Sequence, residues 1–160
     1  MQNYPNLEFF IIDGGSTDQS VDIIKKYEPW IDYWASESDR GQTHAINKGF
    51  KRATGEIINW VNSDDLLLPN ALFEIAACFQ KTPDVHFLKA KGYYFSLEKT
   101  YLFDPEIDDA GLSYLAIFPF VQPACFFKRA VLNEIGYLDE DFEVTMDRDL
   151  YVRILSLIHI

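Results

Sequence analysis

Residues 7–27 read LEFFIIDGGSTDQSVDIIKKY, and this run decides the fold class. Leu7 to Ile12 is almost continuously apolar and rich in Phe and Ile, the pattern of a strand buried on both faces, and Asp13-Gly14-Gly15 stops it. Ser16 and Gln19 have the spacing of a capping box, and Val21, Ile24 and Tyr27 recur at helical intervals until Pro29 closes the segment. The run therefore predicts a strand, a tight turn and a helix.

The same unit repeats downstream. Ile31 to Ala35 predicts a short strand, and Ala45, Ile46, Gly49, Phe50 and Ala53 trace one face of a helix that ends near Gly55. Glu56 to Val61 predicts the next strand, which runs into Asn62-Ser63-Asp64-Asp65. Pro69 then suits a first helical position, and Leu72, Ile75, Ala76 and Phe79 form a buried stripe. Such alternation implies an α/β domain with a mainly parallel central sheet, whose ligands gather at the carboxyl ends of the strands. Beyond Pro83 the pattern changes to short strand-like runs, His86 to Ala90, Tyr93 to Leu97 and Thr100 to Phe103, which suggest a small antiparallel portion or a mixed sheet edge. Pro123 to Phe127 suits one more strand, Arg129 to Ile135 a short helix stopped by Gly136, and Asp147 to Leu155 a final helix that the last residues do not continue.

Composition narrows the function. With 160 residues, 48% of them apolar, the chain can bury one core, and no linker, low-complexity stretch or repeat divides it. A net charge of -11 opposes binding to phosphate polyanions and anionic lipid surfaces, and nucleic acid is not an expected partner. A diphosphate could still bind where a divalent cation offsets the carboxylates. Cys78 and Cys125 lack metal-ligand spacing and are expected to be buried free thiols, as in a reducing cytosol. The most apolar window, Tyr114 to Val121, contains Pro119 and falls far short of the roughly 20 residues a spanning helix needs, so neither a membrane span nor a secretory signal is expected.

Three acidic segments can carry chemistry. In Asp13-Gly14-Gly15-Ser16-Thr17-Asp18, glycines let the backbone approach a ligand and the strand-end carboxylate can accept from a base or ribose, although the same residues also serve as turn punctuation before a helix. Asp64 and Asp65 are hard oxygen donors of the kind that magnesium and manganese take together with substrate phosphates. A carboxylate facing a phosphate oxygen at about 4 Å costs about 4 kcal/mol at an effective dielectric near 20, so a bridging dication would be needed. The plainer alternative is an Asp-Asp turn capping the next helix. Asp147 can be a general base toward a hydroxyl, or simply an acid favoured by the helix dipole. His44, His86 and His159 lack the mutual spacing of a zinc site and are taken as structural. No P-loop or nucleophile elbow supports a kinase or hydrolase.

Three stretches, residues 4–24 (YPNLEFFIIDGGSTDQSVDII), 36–72 (SESDRGQTHAINKGFKRATGEIINWVNSDDLLLPNAL) and 122–154 (QPACFFKRAVLNEIGYLDEDFEVTMDRDLYVRI), together resemble the inverting family-two glycosyltransferases of the GT-A fold. The resemblance implies a Rossmann-type, three-layer α/β domain, with residues 1–82 as a nucleotide-sugar donor half and 83–160 as an acceptor-side half. Carried over by position, Asp13 would contact the nucleotide base, Asp64 the ribose, Asp65 a Mn2+ or Mg2+ ion bridging the donor diphosphate, and Asp147 would be the catalytic base. The same likeness sets Asp39-Arg40-Gly41-Gln42 and Asn47-Lys48-Gly49 against the nucleotide, with Arg40 the foremost contact, the alternative for Arg40 being a solvated loop residue paired with Asp39. It also lets Gln122 hydrogen-bond an acceptor hydroxyl, the alternative being a satisfied loop amide.

The implied function is a hexosyltransferase that moves a sugar from a nucleoside diphosphate sugar, foremost a UDP-sugar, to a carbohydrate or glycolipid acceptor. Its expected setting is surface polysaccharide or glycolipid synthesis, in the cytoplasm or peripherally at the cytosolic membrane face. Two departures stand out. The family's usual first strand would precede Met1 and its members extend past Ile160, so truncation at both ends is expected; and Asn62 stands where the metal motif usually has its first acid. The rival readings are a non-catalytic nucleotide-sugar-binding fragment and a sugar nucleotidyltransferase, the latter expected to carry a basic glycine-rich N-terminal loop.

Overall fold

The computed structural model describes residues 2–103, 120–142 and 144–158. The first unit is β1 (Phe10–Asp13), α1 (Ser20–Tyr27), β2 (Tyr33–Ser36) and α2 (Gln42–Arg52). β1 and β2 pair in parallel, with Asp13 opposite Ser36, and α2 packs back on β1. β1 is shorter than its apolar run and only half-buried, and Phe9, just ahead of it, is 47% exposed. Among the described residues β1 pairs with β2 alone, so expectation of a strand covered on both faces is not met.

The second unit is built around a strand contributed late in the chain. β3 (Ile57–Ile58), α3 (Ala71–Lys81) and β4 (Phe87–Lys89) are followed by the hairpin β5 (Gly92–Phe95) and β6 (Thr100–Phe103). Then β7 (Cys125–Lys128) inserts between β3 and β4, antiparallel to both. Being central, β7 is buried on both faces, and side-chain alternation sends Cys125 and Phe127 into the main core and Phe126 into a second cluster with Ile75 and Phe79. Burying an aromatic side chain such as Phe127 contributes about 1.5–3 kcal/mol.

The chain closes with α4 (Leu132–Ile135) and α5 (Met146–Ile158). Gly136, at φ +79°, ends α4 in the left-handed region that favours glycine. Met146, Leu150, Tyr151 and Ile154 lie on one face of α5 and are buried against Phe50, Ile58 and β7. Two buried polar residues tie α2 to the segment before α5. Asn47 donates to the Leu138 carbonyl at 2.9 Å and accepts from its amide at 3.1 Å, and the Thr43 hydroxyl donates to the Phe142 carbonyl at 3.3 Å.

Several local expectations change. α1 starts at Ser20 rather than after a Ser16–Gln19 box, because the Ser16 hydroxyl is drawn to Asp13 and the Asp18 carboxylate accepts the Ser20 amide. The strand expected over Glu56 to Val61 is a ladder only at Ile57 and Ile58. Past that point the Asn59 side chain donates to the Pro123 carbonyl and the Trp60 carbonyl accepts from the Gln122 side chain. α3 begins at Ala71, after Asn70 in the left-handed region, so Pro69 lies outside the helix. α5 continues to Ile158, beyond the expected end. Cys78 is exposed, not buried, because α3 turns Ile75 and Phe79 inward and leaves position 78 on its outer side; Cys125 is buried. No described helix is long and apolar enough to cross a membrane, and Tyr114 to Pro119 lies outside the described residues.

Candidate active site

β1 ends in a turn organised by one carboxylate. The Asp13 side chain accepts from the Ser16 hydroxyl at 2.5 Å, the Ser36 hydroxyl at 2.6 Å, and the amides of Ser16 and Gly15 at 2.9 and 3.1 Å. These donors, the Ser16 hydroxyl foremost, stabilise the charged form and lower its pKa from 3.8 to about 2. The turn abuts the next loop, since a Cβ on Gly14 would lie 2.7 Å from Asp39 Oδ2. Asp39 accepts from the Gly41 amide at 2.8 Å, which leads into α2. Arg40 pairs with Glu140, not with Asp39. Glu140 also accepts from Asn47 at 3.1 Å, and these two donors, Asn47 first, hold its carboxyl below the usual range.

A cavity of about 270 Å³ opens beyond β3, between the start of α2 and the start of α5, with Gln42, Trp60, Asn62, Gln122, Thr145 and Asp147 in its wall. Asn62 is its hub. Its Oδ1 accepts from Gln42 at 2.8 Å, and its Nδ2 donates to Asp65 Oδ2 at 3.1 Å and to Gln122 Oε1 at 3.0 Å. A backbone bond of 3.1 Å from the Asp65 amide to the Asn62 carbonyl closes this turn, on which Asp64 is exposed. Gln122 completes the link by donating to the Trp60 carbonyl at 2.7 Å, so both ends of its amide are engaged within the protein.

Asp147, half-buried in the first turn of α5, reaches the cavity from the other side, with Oδ1 accepting the Arg148 amide at 2.8 Å. It follows Thr145, a β-branched residue at φ +66° whose backbone is strained, a feature that clusters at functional sites. Behind the cavity, Tyr151 stacks on Trp60 with ring centroids 6.0 Å apart. Burial first, then the neighbouring charge of Asp147, push the Cys125 thiol up to about 12 despite its hydrogen bond with Tyr151, and burial, followed by Cys125 and Asp147, raises the Tyr151 hydroxyl well above its usual value.

Asn62, Gln122 and Asp147 thus share one cavity, with Asp65 hydrogen-bonded to it through Asn62, whereas Asp13 at the end of β1 and Arg40 and Asp64 on loops do not line it. Gln42 belongs to the stretch from Asp39 to Gln42 that the resemblance sets against the nucleotide, whereas Thr145 was not singled out by the sequence. The one signal for Thr145 is its position two residues before Asp147. Among the described residues no three acidic, histidine or cysteine side chains converge as a metal cage. Magnesium or manganese does not require one, since each binds through one or two carboxylates completed by waters and substrate phosphates, and the Asp64–Asp65 turn fits that limited donor set.

Comparison with known proteins agrees with this architecture. Residues 1–136 match the family described as Glycosyl transferase family 2. An uncharacterized glycosyltransferase of Rickettsia typhi is 27% identical over 98% of this chain and 52% of its own length. One from Nostoc is 36% identical over 52% of the chain and 27% of its own length. The chain therefore spans about half or less of these relatives. A crystal structure of S. aureus TarS in complex with UDP superposes with a TM-score of 0.69 at 22% identity, covering 94% of this chain and 46% of that one. The fold is the Rossmann-type α/β arrangement of GT-A glycosyltransferases, as the resemblance implied.

Proposed function

The chain belongs to glycosyl transferase family 2, and from that premise we propose that it forms the donor-binding and catalytic core of an inverting glycosyltransferase. It transfers a sugar from a nucleoside diphosphate to an acceptor hydroxyl. The observation that carries this reading is that Asp147 and the Asn62 turn bearing Asp65 meet at one cavity. Residues 1–82 bind the donor and residues 83–160 supply the acceptor side. The UDP held by TarS supports a UDP-sugar as donor.

In the proposed reaction the acceptor oxygen attacks the anomeric carbon, its proton passes to the Asp147 carboxylate, and the bond from that carbon to the diphosphate oxygen breaks with inversion. Asp65, with Asp64 beside it, would hold Mn2+ or Mg2+, which when bound neutralises charge on the leaving diphosphate. Asp13 and Asp64 face the base and ribose. Asp13 does so by exchanging one of its four internal donors for the ligand. Arg40 leaves Glu140 to meet the diphosphate. Gln122, whose amide retains one proton and one lone pair beyond its two internal bonds, meets an acceptor hydroxyl. The acceptors are carbohydrates or glycolipids of surface polysaccharide or glycolipid assembly at the cytosolic membrane face.

Asp147→Asn tests the reading. It keeps the shape of the side chain and removes its basicity, so UDP binding by calorimetry is retained while transfer falls at least about a hundredfold. Transfer at the unsubstituted rate would remove Asp147 from the chemistry.

A further inference from the structure

The hydrogen bonds around Asn62 have a fixed polarity. The Trp60 carbonyl can only accept, so Gln122 turns its Nε2 toward it at 2.7 Å and its Oε1 toward Asn62. The Asp65 carboxylate is likewise an acceptor, so both protons of Asn62 Nδ2 are committed, one to Gln122 and one to Asp65 Oδ2 at 3.1 Å. Oδ1 of Asn62 is thereby left facing Gln42, which donates to it at 2.8 Å. Every polar atom of this amide is engaged, and two fixed acceptors dictate its orientation.

We infer that Asn62 is a positioning residue for the cation carried by Asp65: its neutral amide ties down Asp65 Oδ2, leaves Oδ1 to ligate, and locks that carboxylate to the Gln122 wall of the cavity. This rests on the proposed function, in which Asp65 holds the metal. An acid at position 62 would lose both donated bonds and set a second negative charge beside Asp65. The amide therefore suits a site in which Asp65 ligates and its neighbour orients. Gln42, at the exposed start of α2, acts one bond further out by holding the Asn62 amide against rotation.

The test is Mn2+ affinity in the presence of UDP, read from free Mn2+ by electron paramagnetic resonance, for Asn62→Ala, Gln42→Ala, Asp65→Asn and the double variants with Asp65→Asn. Residues that orient a ligand typically change metal affinity 10- to 100-fold, so Asn62→Ala should weaken Mn2+ binding by about 10-fold or more, and Gln42→Ala by a smaller factor in the same direction. Both effects should vanish in the Asp65→Asn background, which a general loss of structure would not produce. If Asp65→Asn weakens Mn2+ binding while Asn62→Ala and Gln42→Ala do not, or if their effects persist without Asp65, the positioning role is wrong and the metal reading survives. If Asp65→Asn itself leaves Mn2+ binding unchanged, the metal reading fails. Should Asn62→Ala not fold, the Gln42→Ala pair decides alone.

Discussion

Asn62 and Gln122, 60 residues apart in the sequence, meet side chain to side chain at 3.0 Å and so join the loop after β3 to the turn before β7. Removing the Gln122 amide by Gln122→Ala leaves the Trp60 carbonyl and one Asn62 proton without their partner in a partly buried setting. Leaving such groups unsatisfied costs about 1–3 kcal/mol, which urea unfolding should register as a lower midpoint at unchanged slope.

Arg40 is held by Glu140, and donor binding in the proposed reaction breaks that pair. Glu140→Gln weakens the competitor without disturbing the fold, so UDP should bind more tightly, on the order of two- to fivefold as befits an exposed ion pair. Titration calorimetry at low and high salt checks this, and the gain should shrink as salt rises. Unchanged affinity at low salt would separate Arg40 from the diphosphate.

The Asp13 carboxyl, lowered to about 2 by its four donors, links stability to acid pH. Because the folded value lies below the ordinary 3.8, its contribution is fully present above that pH and is lost as the pH falls through about 2. A carbon-detected titration should find Asp13 still ionised near pH 3. Ser16→Ala, which removes the leading donor, should move its midpoint upward.

The two thiols should behave oppositely. Cys125 is buried and raised to about 12, so it has almost no thiolate at pH 8, whereas Cys78 is exposed on α3. Ellman's reagent should therefore modify one thiol per folded chain and two after denaturation. Rapid reaction of both in the native state would contradict the burial of β7.

The alternation of strands and helices was legible because it is local: Phe50 and Ile46 face the core at the spacing their helix demands, as Ile75 and Phe79 do on α3. Partners distant in sequence were not. Nothing near Asn47 or Thr43 announces that they are buried, since their partners are the Leu138 backbone and the Phe142 carbonyl. The same applies to Arg40, whose neighbour Asp39 is the obvious partner in sequence but whose actual partner, Glu140, arrives from the far end of the chain. At the site, acids at strand ends could be picked out singly. Asn62 looked like a missing ligand, and only its hydrogen bonds give the amide an occupation of its own.

The late arrival of β7 between β3 and β4 bears on how the molecule is made. A ribosome must release residues 125–128 before the two flanking strands can find their shared partner, and most of the main core, from Cys125 to Ile154, is synthesised later than the N-terminal loops. Closing so long a loop is entropically slow, which exposes the nascent N-terminal half to chaperones and proteases until the final helix emerges. Residues 1–82 thus lack the strand that β3 pairs with, and a nonsense codon between β4 and β7 would leave β3 and β4 with bare edges.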